Sequence, residues 1–220
     1  NWSYQNPVYG RLSAHVLLGQ TLRNIKIYFG EFYIDPRFSF FYMAPSGTAK
    51  SNAWDFIKKV SKAAEIKAEE IDEATDAALI GTVEQEQTID PETGGKIMQY
   101  NTITGKLADA EILYYDEAQM LMTRTQHSMN TLIWFQKALN PIGSGQNILN
   151  KKLAHGEPIE IHPHCSLIAV SFPITDVFED ILKTGFFQRI IFYPRDIPLE
   201  ERKQNEFTRA AKFGLKAPMT

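Results

Sequence analysis

Apolar positions along the chain change period several times, and each change marks an expected element. Between residues 10 and 29, Leu12, Val16, Leu17, Leu22 and Ile25 recur at roughly helical spacing, which predicts a helix ahead of the first core strand. "FSFFYMA" (Phe38–Ala44) is then a continuous aromatic-rich run that stops at Pro45-Ser46-Gly47, the pattern of a buried strand entering a loop. Trp54, Ile57 and Val60 restore a helical period over "KSNAWDFIKKVSKAAE" (Lys50–Glu65). Later apolar runs predict a second strand at "DAALIGTV" (Asp76–Val83), a third at "AEILYYDE" (Ala110–Glu117), a fourth at "CSLIAVSFP" (Cys165–Pro173) and a fifth at "QRIIFYP" (Gln188–Pro194). Helices are expected between them at Ala118–Leu139 and Ile174–Thr184. Strands that alternate with helices, and are apolar throughout, predict an α/β fold with a mostly parallel sheet of about five strands flanked by helices.

The segment from Glu84 to Leu107 is turn-rich through Asp90-Pro91 and Gly94-Gly95 and reads as a surface hairpin or insertion. Gly143–Pro158 is the other long loop, and the chain turns charged after Arg195. Composition changes this picture little. The 220 residues are enough for one large domain, and 44% hydrophobic with 22% charged residues is ordinary for a globular chain. A formal net charge of -3 removes any general basic field for coating nucleic acid, while leaving room for basic residues in a groove or pore. Cys165 is the one cysteine, so no internal disulfide forms; with no signal peptide or membrane span visible, a cytoplasmic setting is expected. The opening on Asn1 rather than methionine leads us to expect a segment of a longer protein.

The chemistry begins at "FYMAPSGTAKSNAW" (Phe41–Trp54). It has the layout of a phosphate-binding loop, in which backbone N–H groups curl around phosphate oxygens at a helix N-terminus. A lysine then reaches the β- and γ-phosphates and a Ser/Thr hydroxyl holds Mg²⁺. The spacing is Ala44-x4-Ala49-Lys50-Ser51, with Ala49 where the pattern asks for glycine. One methyl group there costs about 1–2 kcal/mol if φ must be positive. Pro45, Ser46, Gly47, Thr48, Ala49, Lys50, Ser51 and Asn52 are therefore the expected nucleotide contacts. "EILYYDEAQ" is an apolar strand that ends in two acids: Asp116 would join Ser51 in holding Mg²⁺, and Glu117 would orient and deprotonate the attacking water.

Together these segments resemble the additional-strand, catalytic-glutamate class of P-loop ATPases, with a RecA/AAA-like core. In that class the strand after the acidic one is inserted between the loop strand and the acidic strand, and ends in a polar sensor. Here that strand is "SLIAVSFP", which makes Ser171 the sensor candidate. RecA-like helicases often take their glutamate from the end of the second strand, so Glu84 in "IGTVEQE" stands as the alternative to Glu117. "ILKTGFFQRIIFYPRDIP" narrows the resemblance to phage- and plasmid-encoded ATPases associated with replicative helicases and primases. The resemblance implies that Gln188 and Arg189 lie at a sensor or arginine-finger position. It further implies an ATPase motor that uses ATP and Mg²⁺ as a homo-oligomeric ring, a hexamer among the options, on nucleic acid such as single-stranded DNA. A phage-type replicative DNA helicase in the host cytoplasm is the expected function. The alternatives are a nucleotide-dependent scaffold or loader with weak turnover, and a packaging-type translocating ATPase. On this reading residues 1–30 are a helical lead-in, 31–198 the ATPase core and 199–220 a C-terminal extension that continues into further sequence.

Other constellations carry less. His162 and His164 share a face at metal-ligand spacing, yet Cys165 would point the other way and no second cluster completes a zinc site. His15 and His127 have no identifiable partner. Lys151 and Lys152 sit in a polar loop where they would meet phosphates or simply stand in solvent, and the aromatic runs read as core.

Overall fold

The structure, a computed structural model, describes residues 7–45, 50–72, 74–89, 91, 94–122, 126–154, 157–173, 184–195 and 200. In chain order the elements are α1 (Pro7–Thr21), β1 (Ile27–Phe29), β2 (Phe32–Ile34), β3 (Phe40–Met43), α2 (Lys50–Ala63), β4 (Ala68–Ile71), α3 (Asp76–Leu79), β5 (Gly81–Ile89), β6 (Lys96–Thr104), α4 (Lys106–Asp109) and β7 (Ile112–Tyr115). A 3-10 turn over Ala118–Met122 leads towards α5 (Gln126–Ala138), followed by β8 (Leu149–Lys151), β9 (Ile159–Ile161), β10 (Ser166–Ser171) and β11 (Ile191–Pro194). No helix among the described residues is long and apolar enough to cross a membrane.

The five-stranded sheet has the order β11-β3-β10-β7-β4. Every pair in it is parallel. The continuous hydrophobicity of β3, β7 and β10 is explained by burial on both faces. Phe40, Tyr42, Ile112, Tyr114, Ile168 and Val170 point to one side, where they pack with Tyr9 and Val16 of α1 and Ala53, Trp54 and Ile57 of α2. Phe41, Met43, Leu113, Tyr115, Leu167 and Ala169 point to the other side, against Leu79, Leu107, Leu132, Phe135 and Phe186. α1 belongs to this packing: its buried Gln20 donates to the His164 carbonyl and the Ser166 hydroxyl at the start of β10. β10 lies between β3 and β7, the expected position for the strand that follows the acidic one.

The lead-in helix expected over residues 10–29 stops at Thr21 and gives way to the β1–β2 hairpin, and β8 forms within the segment expected to be loop over 143–158. Two further elements differ from expectation. The second core strand is "AEEI", Ala68–Ile71, rather than Asp76–Val83. Within the latter segment, Thr75 caps α3 by accepting from the Ala78 N–H, and the apolar side chains of Leu79 and Ile80 are buried from a helical turn. Gly81 then opens a two-stranded ribbon, β5 against β6, with Gly81 opposite Thr104 and Ile89 opposite Lys96. This is the hairpin expected between Glu84 and Leu107, and it starts earlier than the sequence suggests. The second difference is the long helix expected over Ala118–Leu139, which divides into the 3-10 turn and α5. Up to residue 183, the helix expected over Ile174–Thr184 lies outside the described residues, as does the chain after Arg195 apart from Glu200.

Candidate functional site

In a parallel sheet all strands deliver their following residues to one edge, so the carboxyl ends of β3, β7 and β10 form a common rim. Met43 pairs with Ser171, and Tyr115 pairs with Ala169, so extending the register sets Ser171 beside both Ala44 and the Asp116-Glu117 pair. Lys50 is the first residue of α2. Its ammonium donates to the Ala44 carbonyl at 2.9 Å and to the Ser171 carbonyl at 3.1 Å, which joins the ends of β3 and β10. The Phe172 ring lies 4.5 Å from the same nitrogen. Burial lowers the Lys50 pKa, and the nearby Asp116 charge acts in the opposite direction. Lys50, Ser171 and Asp116, each picked from the end or start of a different apolar segment, are thus brought together.

Asp116 is half-buried, and its Oδ1 accepts from the Glu117 N–H at 2.9 Å. Glu117 is exposed and has φ of 52°, a left-handed conformation that a non-glycine residue adopts at a cost of about 1–2 kcal/mol. Such outliers concentrate at functional positions. Glu117 also helps to raise the Tyr115 pKa, after burial, which is the main cause. Tyr114, beneath the site, is raised by burial and next by Asp116. Ser171 is buried and donates its hydroxyl to the Phe172 carbonyl at 2.8 Å. Ser51 is exposed in the first turn of α2. Mg²⁺ favours hard oxygen donors, with one or two carboxylates supplemented by substrate phosphates. The Ser51 hydroxyl and the partly exposed Asp116 carboxylate fit that donor set. Pro45 is half-buried at the end of β3; Ser46, Gly47, Thr48 and Ala49 lie outside the described residues, as does the Asn52 side chain.

Arg189 and Gln188 are elsewhere. They precede β11, whose Ile191 pairs with Phe40 at the start of β3, so they occupy the amino edge of the sheet. The length of β3 and its flanks, about 15 Å of extended chain, separates that edge from Lys50. The Arg189 Nε donates to Asn140 Oδ1 at 2.6 Å and its Nη1 donates to the Gly185 carbonyl at 2.5 Å. A β-carbon at Gly185 would come within 2.7 Å of that Nη1, so the guanidinium packs closely over the glycine. Asn140 also accepts Arg37 Nη2 through its carbonyl at 2.6 Å, and Arg37 is paired with Asp35 at 2.8 Å. Burial pushes the Asp35 pKa up, but the hydrogen bonds and charge of Arg37 outweigh it and hold the carboxyl below its usual range. Gln188 is exposed. The arginine that the sequence did not single out is Arg195. It follows the last residue of β11, and its N–H donates to the Met43 carbonyl at 2.8 Å, on the same rim as Lys50. Its position directly after a strand was the available signal.

Glu84 does not end a core strand. It sits in the exposed β5–β6 ribbon opposite Asn101. The true second strand ends at Ile71, paired with Tyr115, and one step further sets the exposed Asp72 level with Asp116. Lys151 is taken up structurally: its ammonium donates to the Gly81 carbonyl at 2.8 Å and holds the base of the ribbon, while Lys152 is exposed. His162 faces Glu160 at 3.3 Å, and no group of three or more potential metal ligands occurs among the described residues. Cys165 is buried, with its thiol pushed up to about 11 by burial. The aromatic residues Phe40, Phe41, Tyr42 and Phe186 are core, as expected.

No family model matches the chain, and no curated protein matches it either.

Proposed function

We propose that the carboxyl rim binds MgATP and hydrolyses it, and that the chain is the motor domain of a nucleic-acid-translocating ATPase of the phage replicative-helicase type. The observation that carries this reading is the Lys50 ammonium at the start of α2, held between the ends of β3 and β10 and within electrostatic reach of Asp116. A lysine so placed meets the β- and γ-phosphates of a nucleotide lying across the N-terminus of the helix. Ser51 and Asp116 hold Mg²⁺, which when bound neutralises charge on the transferring phosphoryl group. Glu117, raised out of the strand line by its left-handed backbone, takes the proton of the attacking water. Ser171 stands between the loop and the acids and orients the γ-phosphate. By the sequence pattern alone, Pro45 to Ala49 and Asn52 are the remaining proposed nucleotide contacts.

Arg189 enters this scheme only from a neighbouring subunit. In a head-to-tail ring the amino edge of one subunit meets the carboxyl rim of the next, a heterologous contact that closes when the rotation permits. The proposed ring, with a hexamer among the options, encloses single-stranded DNA.

A specific observation favours a second reading, a nucleotide-dependent loader or scaffold with weak turnover. Arg189 is already hydrogen-bonded inside its own subunit and must release Asn140 and Gly185 before it can serve a neighbour. Calorimetric titration with MgATP tests the shared part of both readings. Wild-type protein binds and Lys50→Ala does not; equal affinity of the two removes the lysine, and the nucleotide site with it.

A further inference from the structure

Phe172 has no evident reason to be where it is. It follows the last residue of β10, is a large aromatic side chain left 44% exposed, and yet lies against the Lys50 ammonium on the rim. The ammonium of Lys50 has three N–H donors. Two go to the Ala44 and Ser171 carbonyls, and the ring face covers the nitrogen at 4.5 Å. The Ser171 carbonyl accepts the Ala44 N–H as well, at 3.1 Å, so one oxygen joins loop, lysine and strand. The Ser171 hydroxyl also donates to the Phe172 carbonyl at 2.8 Å. The lysine thus has its partners already: two carbonyl dipoles and a π face stand in the role that phosphate oxygens would take.

We infer that Ala44, Ser171 and Phe172 form a clasp on Lys50, which incoming phosphates must open. This rests on the reading of the rim as a MgATP site. To reach phosphate oxygens the ammonium gives up at least one carbonyl and draws away from the ring. A ligand shifts such an equilibrium only by its differential affinity for the open and clasped states, so the clasp lowers apparent affinity in proportion to its own stability. Phe172 is therefore a positioning residue.

The test compares MgATP binding by wild-type protein, Lys50→Ala, Phe172→Leu and Phe172→Trp. Leucine keeps apolar bulk but loses the π face. Its exposure makes the site tolerant, and melting curves check that the variant is folded. Because a cation–π contact at an exposed site is worth about 0.5–1 kcal/mol, Phe172→Leu should bind MgATP about two- to five-fold more tightly. Phe172→Trp keeps the ring. Its affinity should equal or fall below wild type, and its indole emission should shift on MgATP addition as the ammonium departs; Lys50→Ala in the same background should abolish the shift. If wild type binds MgATP and Lys50→Ala does not, but Phe172→Leu binds with unchanged or weaker affinity, the clasp is overturned while the nucleotide site stands. An unshifted Phe172→Trp spectrum at saturating MgATP overturns it too. If wild type itself binds no MgATP, both the site and the clasp fail.

Discussion

Replacing Arg189 with alanine separates a structural role from a catalytic one, because the two predict different observables. Within its own subunit Arg189 makes hydrogen bonds to Asn140 Oδ1 and to the Gly185 carbonyl. Asn140 is 5% exposed, so the oxygen left behind has little access to water. Stranding a buried acceptor costs about 1–3 kcal/mol. For a chain of this size each kcal/mol lowers Tm by about 2–4 °C, so the central expectation of about 2 kcal/mol is a fall of about 4–8 °C. Circular dichroism melts of Arg189→Ala, Asn140→Ala and the double variant complete a cycle, and the two single losses should overlap substantially rather than add. Strict additivity, or a Tm within a degree of wild type, would refute the structural account.

Turnover supplies the other half of that prediction. An arginine finger contributes roughly 10³–10⁵ in rate where it has been dissected. Arg189→Ala should retain MgATP affinity and lose most hydrolysis. The separation of the two sheet edges makes the deficit complementable. Mixing with Glu117→Gln creates some junctions that join an intact Glu117 to an intact Arg189, and activity should return in part, rising with protein concentration. Full activity of Arg189→Ala alone leaves the residue a purely structural one.

Glu117→Gln should bind MgATP normally and lose about 10²–10⁴ in hydrolysis, whereas Glu84→Gln, in the exposed ribbon, should match wild type in steady-state phosphate release; the reverse pattern would move the catalytic acid away from β7. Asp35→Asn should lower stability by about 3 kcal/mol in chemical denaturation at neutral pH, because it leaves the buried Arg37 guanidinium without its carboxylate. Since the folded Asp35 pKa is depressed, its contribution is present above the unfolded value near 3.9 and is lost as pH falls through the folded value. The stability gap between wild type and Asp35→Asn should therefore close in acid denaturation below about pH 4 and stay constant between pH 5 and 7.

Most of the rim was legible in the sequence because each of its residues ends or begins an apolar run. Met43, Tyr115 and Ser171 close buried strands, and a parallel sheet sends whatever follows them to one edge. The strand β4 was illegible for the complementary reason. It is an edge strand with a single neighbour, and its Glu69 and Glu70 break the apolar signal, while "AALI" mimics a strand although its burial comes from a helical turn. That error carried Glu84 with it. Arg189 shows a different limit. "QRIIFYP" gave the strand correctly, but a residue before a parallel strand falls on the amino edge, far from a loop that follows one. Motif order alone does not encode that geometry. The Phe172 contact with Lys50 depends on two residues far apart in the chain, and no local period reports it.

The central claim is that the rim built on Lys50, Asp116, Glu117 and Ser171 hydrolyses MgATP in the service of movement on nucleic acid. Steady-state phosphate release by wild type and Lys50→Ala, each with and without single-stranded DNA, tests it most directly. The account predicts Mg²⁺-dependent release by wild type that rises when single-stranded DNA is added, and none above background from Lys50→Ala. Equal release by the two proteins, or no release by wild type under either condition, would contradict it.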